Sequence, residues 1–171
     1  MKKISFLLIA FILWFSFSAC ESPKNIPQKY VGKHVFDILT TLDTLDKEAF
    51  RTHFITLDEI KNVLEEVAVS DEFRDKASTM DVDTYNKDID RIYHDITQEA
   101  IDNYVHLSQI EYLDYEYKAT QNNSMIGYTG TLYFKANNQT YRIKVYSMEF
   151  DDAFGLLGLG RLKREEERTF E

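Results

Sequence analysis

At residue 108 the apolar residues stop recurring every three or four positions and begin to alternate. A period near 3.6 puts side chains on one face of a helix, and a period of two puts them on one face of a strand. The chain is therefore divided into helices first and strands after, and consecutive strands joined by short turns pair antiparallel. The expected fold is α+β, with N-terminal helices packed on one face of a curved antiparallel meander of about four strands.

Turn chemistry aligns the strands. Asn137-Asn138 suits a two-residue hairpin turn because asparagine tolerates positive φ. That turn pairs Phe134 with Tyr141, Leu132 with Ile143 and Gly130 with Val145. Treating residues 121–124 as a polar loop pairs Tyr117 with Tyr128, Tyr115 with Gly130 and Leu113 with Leu132. The two alignments agree on one apolar face, with Tyr115 covering the gap that Gly130 leaves. The opposite face reads Asp114–Thr131–Lys144 and Glu116–Thr129–Tyr146. Asp151-Asp152 turns the chain again, and residues 153–163 form a fourth strand interrupted by three glycines.

The helical half has clear punctuation. Val31, Val35, Ile38, Leu42 and Leu45 line one helix, and Asp46 restarts the pattern with Phe50 and Phe54 four apart. Thr56 and Glu59 form a capping box ahead of Ile60, Val63, Leu64 and Val67. Ser70 caps a short helix carrying Phe73, Ala77 and Met80. After a break at residues 81–83 comes the longest helix, about 84–106. Its stripe of Tyr85, Ile89, Ile92, Ile96 and Ala100, widened by Tyr93, Ile101, Tyr104 and Val105, suits a helix lying across a sheet.

Ahead of all this, Lys2 and Lys3 precede an apolar run over residues 4–15, then small residues up to Cys20, the sole cysteine. Basic end, apolar middle and small residues at a cut site make a secretory signal. The cysteine after Ser18-Ala19 resembles the lipobox of bacterial lipoproteins, although Phe17 stands where leucine is usual. The resemblance implies cleavage before Cys20 and a lipid on its sulfur, and two acyl chains suffice for stable anchoring. Glu21, rather than aspartate, after the cysteine points to the outer membrane and not the inner. The expected organisation is a signal peptide over 1–19, a tether over 20–29 containing Pro23 and Pro27, one α+β domain over 30–163 and a charged tail over 164–171. Losing Lys2 and Lys3 takes the formal charge from −9 to −11. A surface that acidic repels nucleic acid and anionic head groups. With Cys20 acylated no disulfide forms, so packing alone must supply stability.

The order of elements over residues 30–162 resembles the nuclear transport factor two-like, or cystatin-like, fold, in which a long curved sheet wraps over N-terminal helices. The likeness is carried by the stretch from Val35 to Leu64 and by the closing hairpin from Tyr141 to Leu162, with Phe154 or Leu156 in place of a customary tryptophan. Enzymes of that fold use a carboxylate and tyrosines inside the cone between sheet and helices. Here seven of the eleven tyrosines lie between Tyr112 and Tyr146. The alignment turns Tyr115, Tyr117, Tyr128 and Tyr141 inward, and only Glu111 and Glu149 among the strand carboxylates share that parity. These six residues are the candidate lining of a cavity; ordinary sheet-forming core tyrosines with wet hydroxyls are the simpler reading.

Other chemistry is thin. His34, His53, His94 and His106 are dispersed. Asp90 and His94 are four apart on the long helix, but two ligands make no closed metal site. Asn122-Asn123-Ser124 and Asn138-Gln139-Thr140 match a glycosylation pattern and read as turns. There is no phosphate loop, nucleophile elbow or His-Glu-x-x-His, so no cofactor, metal or catalytic residue is assigned. The expectation is a lipid-anchored, non-enzymatic binding or interaction module with a protein partner in the cell envelope. The alternative is a small-ligand binder or enzyme with a tyrosine-lined cavity, and an inhibitor-like acidic partner of a basic target is a third reading.

Overall fold

The structure is a computed structural model that describes residues 28–66, 71–122, 125–150 and 153–165. The signal and Cys20, most of the tether, Val67 and Ser70, the Asp151-Asp152 turn and the last six residues of the expected tail lie outside them. Among the described residues five α-helices precede the strands: α1 (Gln28–Thr41), α2 (Lys47–Arg51), α3 (Leu57–Glu66), α4 (Asp71–Thr79) and α5 (Val82–Asp102). After a 3₁₀ turn at Leu107–Gln109 come β1 (Glu111–Asn122), β2 (Met125–Ala136), β3 (Gln139–Phe150), β4 (Ala153–Leu159) and β5 (Lys163–Glu165). The strands form one antiparallel sheet in the order β1-β2-β3-β4, with β5 continuing along the same edge of β3. The domain is α+β, with its helices packed on a curved open sheet.

The helix caps follow the sequence. Asp46 accepts from Ala49 N at 2.8 Å to open α2. Thr56 and Glu59 bond reciprocally, Thr56 N to Glu59 Oε2 at 2.7 Å and Glu59 N to Thr56 Oγ1 at 3.2 Å. Asp81 accepts from Thr84 N at 2.8 Å, so it is the cap of α5 rather than part of a break. Thr84 also bonds the Asp81 carboxylate through its hydroxyl, and these bonds hold that carboxyl below its usual pKa.

The long helix ends earlier than its apolar stripe suggests. Tyr104 takes a left-handed φ of 56°, and Val105 N donates to Ala100 O at 2.8 Å, which closes a Schellman turn. Ile101 and Tyr104 are 62% and 82% exposed and do not widen the buried stripe, whereas Val105 is buried from the turn. The helix rests against α2 and β4, at one side of the sheet. It is α1 that touches β1, β2 and β4 and so lies across them.

The β2–β3 register is as expected: Phe134 faces Tyr141, Leu132 faces Ile143 and Gly130 faces Val145. Asn137 and Asn138 take φ of 50° and 60° in the turn. The β1–β2 register differs by two residues: Tyr117 pairs with Gly130, Tyr115 with Leu132 and Ala119 with Tyr128. The pairing extends to Asn122–Met125, so Gln121 and Asn122 of the expected loop belong to β1, and Asn123 and Ser124 lie outside the described residues. An even slip keeps every residue on its face, and Tyr115 still covers Gly130, diagonally. The outer rows become Glu116–Thr131–Lys144 and Lys118–Thr129–Tyr146.

The core lies where the sheet meets the helices. Leu132, Phe134, Ile143 and Val145 are fully buried together with Val31, Val35, Leu39 and Phe50. The outer face is less wet than its sequence suggests: Thr131, Tyr133 and Met148 are buried there, with Lys144 Nζ donating to Thr131 Oγ1 at 2.8 Å. Beyond β4 the chain kinks and rejoins β3. Glu99 fixes the kink by accepting from Leu162 N at 2.6 Å and Arg161 Nε at 2.5 Å. Arg164 and Glu165, expected in a solvated tail, belong to β5, where Glu165 pairs with Arg142.

Candidate functional site

Three of the six candidate cavity residues form one aromatic row. Tyr115 stacks on Tyr117 with ring centroids 5.7 Å apart, Tyr117 meets Tyr128 at 6.0 Å, and Tyr128 meets Phe154 edge-on at 4.9 Å. Two glycines make room for it: a Cβ on Gly32 of α1 would strike the base of the Tyr115 side chain, and one on Gly130 would strike its far end. Tyr117 is 46% exposed, so the row runs out from the core to the surface along β1. Glu149 stands at the far end, with Tyr128 Oη 3.4 Å from its Oε2. Partial burial and then the Glu149 charge hold the Tyr128 hydroxyl above its usual pKa.

The other two candidates are elsewhere. Tyr141 is buried and stacked on Phe134 at 6.0 Å, six register positions along β2 from Tyr128. At about 3.3 Å per residue that is roughly 20 Å. Glu111 has the opposite parity to the one expected. A bulge between Tyr112 and Asp114 skips Leu113, so Tyr112 faces Phe134 and Glu111 faces Lys135 on the outer side. Tyr112 packs edge-on against Phe36 instead. Of the two carboxylates only Glu149 meets the row, at its exposed end, and the middle of that face is filled by side chains.

Among the described residues, two neighbouring clefts lie beside the helices. A cleft of about 330 Å³ is lined by Arg51, Ile55, Leu57, Val82, Tyr85 and Ile89. Its neighbour, about 280 Å³, is bordered by Ile60, Ala77, Met80, Tyr85, Ile92 and Leu157. Tyr85 separates them, and its hydroxyl donates to Ile55 O at 2.6 Å. Burial pushes that phenol up to about 12, so it stays a donor at any ordinary pH. At the cleft rim Arg51 grips Asp90 through two bonds, Nε to Oδ1 at 2.7 Å and Nη2 to Oδ2 at 2.5 Å. The Arg51 bonds hold the Asp90 carboxyl below its usual pKa. With both oxygens engaged, Asp90 is not poised to chelate with the exposed His94. No group of three metal-ligating side chains occurs among the described residues.

Sequence reasoning missed the Arg51–Asp90 pair and also a pairing of histidines. His34 on α1 and His53 after α2 meet edge to face, ring centroids 5.5 Å apart. Their spacing of 19 residues follows no helical or strand period, so only the tertiary fold brings them together. Compared with family models, with curated proteins and with solved structures, the chain matches none.

Proposed function

We propose that this chain is a cell-envelope lipoprotein, held at the membrane by a lipid on Cys20, whose domain is a non-enzymatic binding module for a protein partner. The observation that carries the binding reading is the filled interior: Leu132, Phe134, Ile143 and Val145 leave no room for a substrate beneath the centre of the sheet. What remains for recognition is surface, namely the clefts on the helices and the exposed strand β1. The anchoring reading is supported by the order of Lys2-Lys3, the apolar run and Cys20. The likeness to nuclear transport factor two-like domains belongs to the same proposal and rests on the helix-first order and the hairpin from Tyr141 to Leu162.

Cross-linking in intact envelopes followed by capture of the chain tests the binding reading. Recovery of a discrete cross-linked partner is expected; recovery of the chain alone contradicts it. Anchoring has its own test. Cys20→Ser should move the protein from membrane to soluble fractions and abolish palmitate labelling, and a variant that keeps its membrane association after signal cleavage overturns the lipid anchor.

A further inference from the structure

We infer that β1 is a self-association edge, on which a second copy of this chain adds its own β1 antiparallel about a two-fold axis through Tyr117. The proposal stands apart from the anchoring reading and needs no lipid on Cys20. Among the described residues β1 ends the sheet, with no strand beyond it. An edge twelve residues long presents a row of backbone donors and acceptors, and such edges are normally short, covered, bulged, or blunted by proline or charge; here the bulge lies at the first end and the exposed charges, Glu116 and Lys118, are of opposite sign. This one contains no proline, and Glu116, Tyr117, Lys118 and Ala119 are exposed in succession.

The register follows from two constraints. A continuous antiparallel sheet built about a two-fold axis must place some residue opposite itself, because any other choice sets inward residues against outward ones. Centring on Glu116 or on Lys118 would set two like charges face to face, centring on Tyr115 would set Asp114 against Glu116, and centring on Ala119 would form no ion pair. Centring on Tyr117 sets Glu116 opposite Lys118 of the second copy, and by symmetry does so twice. It also places Tyr117 against its own counterpart and Tyr115 against Ala119, a large ring beside a small side chain. The pairing runs from Asp114 to Thr120, its far limit in each copy being the bulge between Tyr112 and Asp114.

The helices permit it. α1 covers the first half of β1, where Gly32 meets Tyr115 and Phe36 meets Tyr112. The antiparallel arrangement sets that covered half beside the exposed half of the other copy, so the two α1 helices lie apart, on opposite sides of the axis. One strand pair is a small interface, and the association is accordingly weak and reversible. Confinement of the chain to one surface would raise its effective concentration.

The test uses the full chain as its host produces it, in whichever fraction it is found. Tyr117→Cys should give a disulfide-linked homodimer under mild oxidant, above the level shown by the unsubstituted chain, whose only cysteine is Cys20. In that background Glu116→Lys turns both ion pairs repulsive and should lower the dimer yield about tenfold. Adding Lys118→Glu restores opposite charges and should restore the yield. Tyr117 also stacks on Tyr115 and meets Tyr128 edge-on, so the charge variants are read again without the cysteine, by sedimentation of the purified full chain. A monomer throughout, charge reversal without effect, or a cross-link to a different protein in place of the homodimer each overturns the proposal.

Discussion

His34 and His53 are the titratable pair that burial affects most. Burial, then the neighbouring His53, bring the His34 imidazole down to about 4, against a smaller upward pull from Asp37; burial alone lowers His53. Both folded-state values lie below the unfolded value of about 6.5. Between these limits the unfolded chain binds more protons than the folded one. Stability is therefore full above about 6.5 and declines as pH falls from there towards about 4. Urea unfolding at pH 7.5 and pH 5 should show this loss, and His34→Leu should reduce it. An unchanged pH response in the variant would show that the pair is not its source. Gly32 gives a second residue-scale expectation. Alanine is the better helix former by about 1 kcal/mol, yet a Cβ here meets Cβ and Cγ of Tyr115, atoms too near the backbone to swing aside. Overpacking of this kind costs about 1–3 kcal/mol, so Gly32→Ala should lower the urea midpoint; a rise would mean that α1 can lift off β1 freely.

At the scale of elements, the α5 terminus carries a cost that the sequence hides. Tyr104 holds a left-handed conformation normally left to glycine, while its ring is 82% exposed. Its backbone is what the fold uses, since Asn137 Nδ2 donates to Tyr104 O at 2.7 Å. Tyr104→Gly keeps that carbonyl and removes the steric penalty, so it should stabilise the domain by about 1 kcal/mol in denaturant titrations. A loss would mean that the ring contributes packing that its exposure does not reveal. The same residue shows where sequence reading stops. Tyr104 continues the apolar stripe in sequence, and only the Schellman turn takes it out. The capping box at Thr56 and the Asn137-Asn138 turn were legible because a local bond or a positive φ demands those residue types. The β1 register was not, because a two-residue slip leaves every side chain on its own face. The bulge at Leu113 was invisible for a related reason: no residue there signals it, yet it reverses Glu111 and removes it from the inner face. Arg51 and Asp90 are 39 positions apart, and His34 and His53 belong to separate helical segments; both pairings exist only once α1, α2 and α5 have packed.

For the molecule as a whole, the formal charge is −9 and Cys20 is the sole cysteine. The fold is held by one apolar layer between helices and sheet, reinforced at its margins by polar ties. Arg51–Asp90 joins α2 to α5, Glu99 pins the kink between β4 and β5, and the Tyr93 hydroxyl donates to Leu45 O at 2.9 Å. With the interior so filled, the proposed recognition would use the outside of the domain, which is why its address matters to the proposed function. The most direct measurement is the intact mass of the chain extracted from the membranes of its host. The expected species begins at Cys20 and carries the added mass of a diacylglycerol thioether on that residue. A chain that still begins at Met1, or one that begins at an unmodified Cys20 in the soluble fraction, would contradict the lipid anchor.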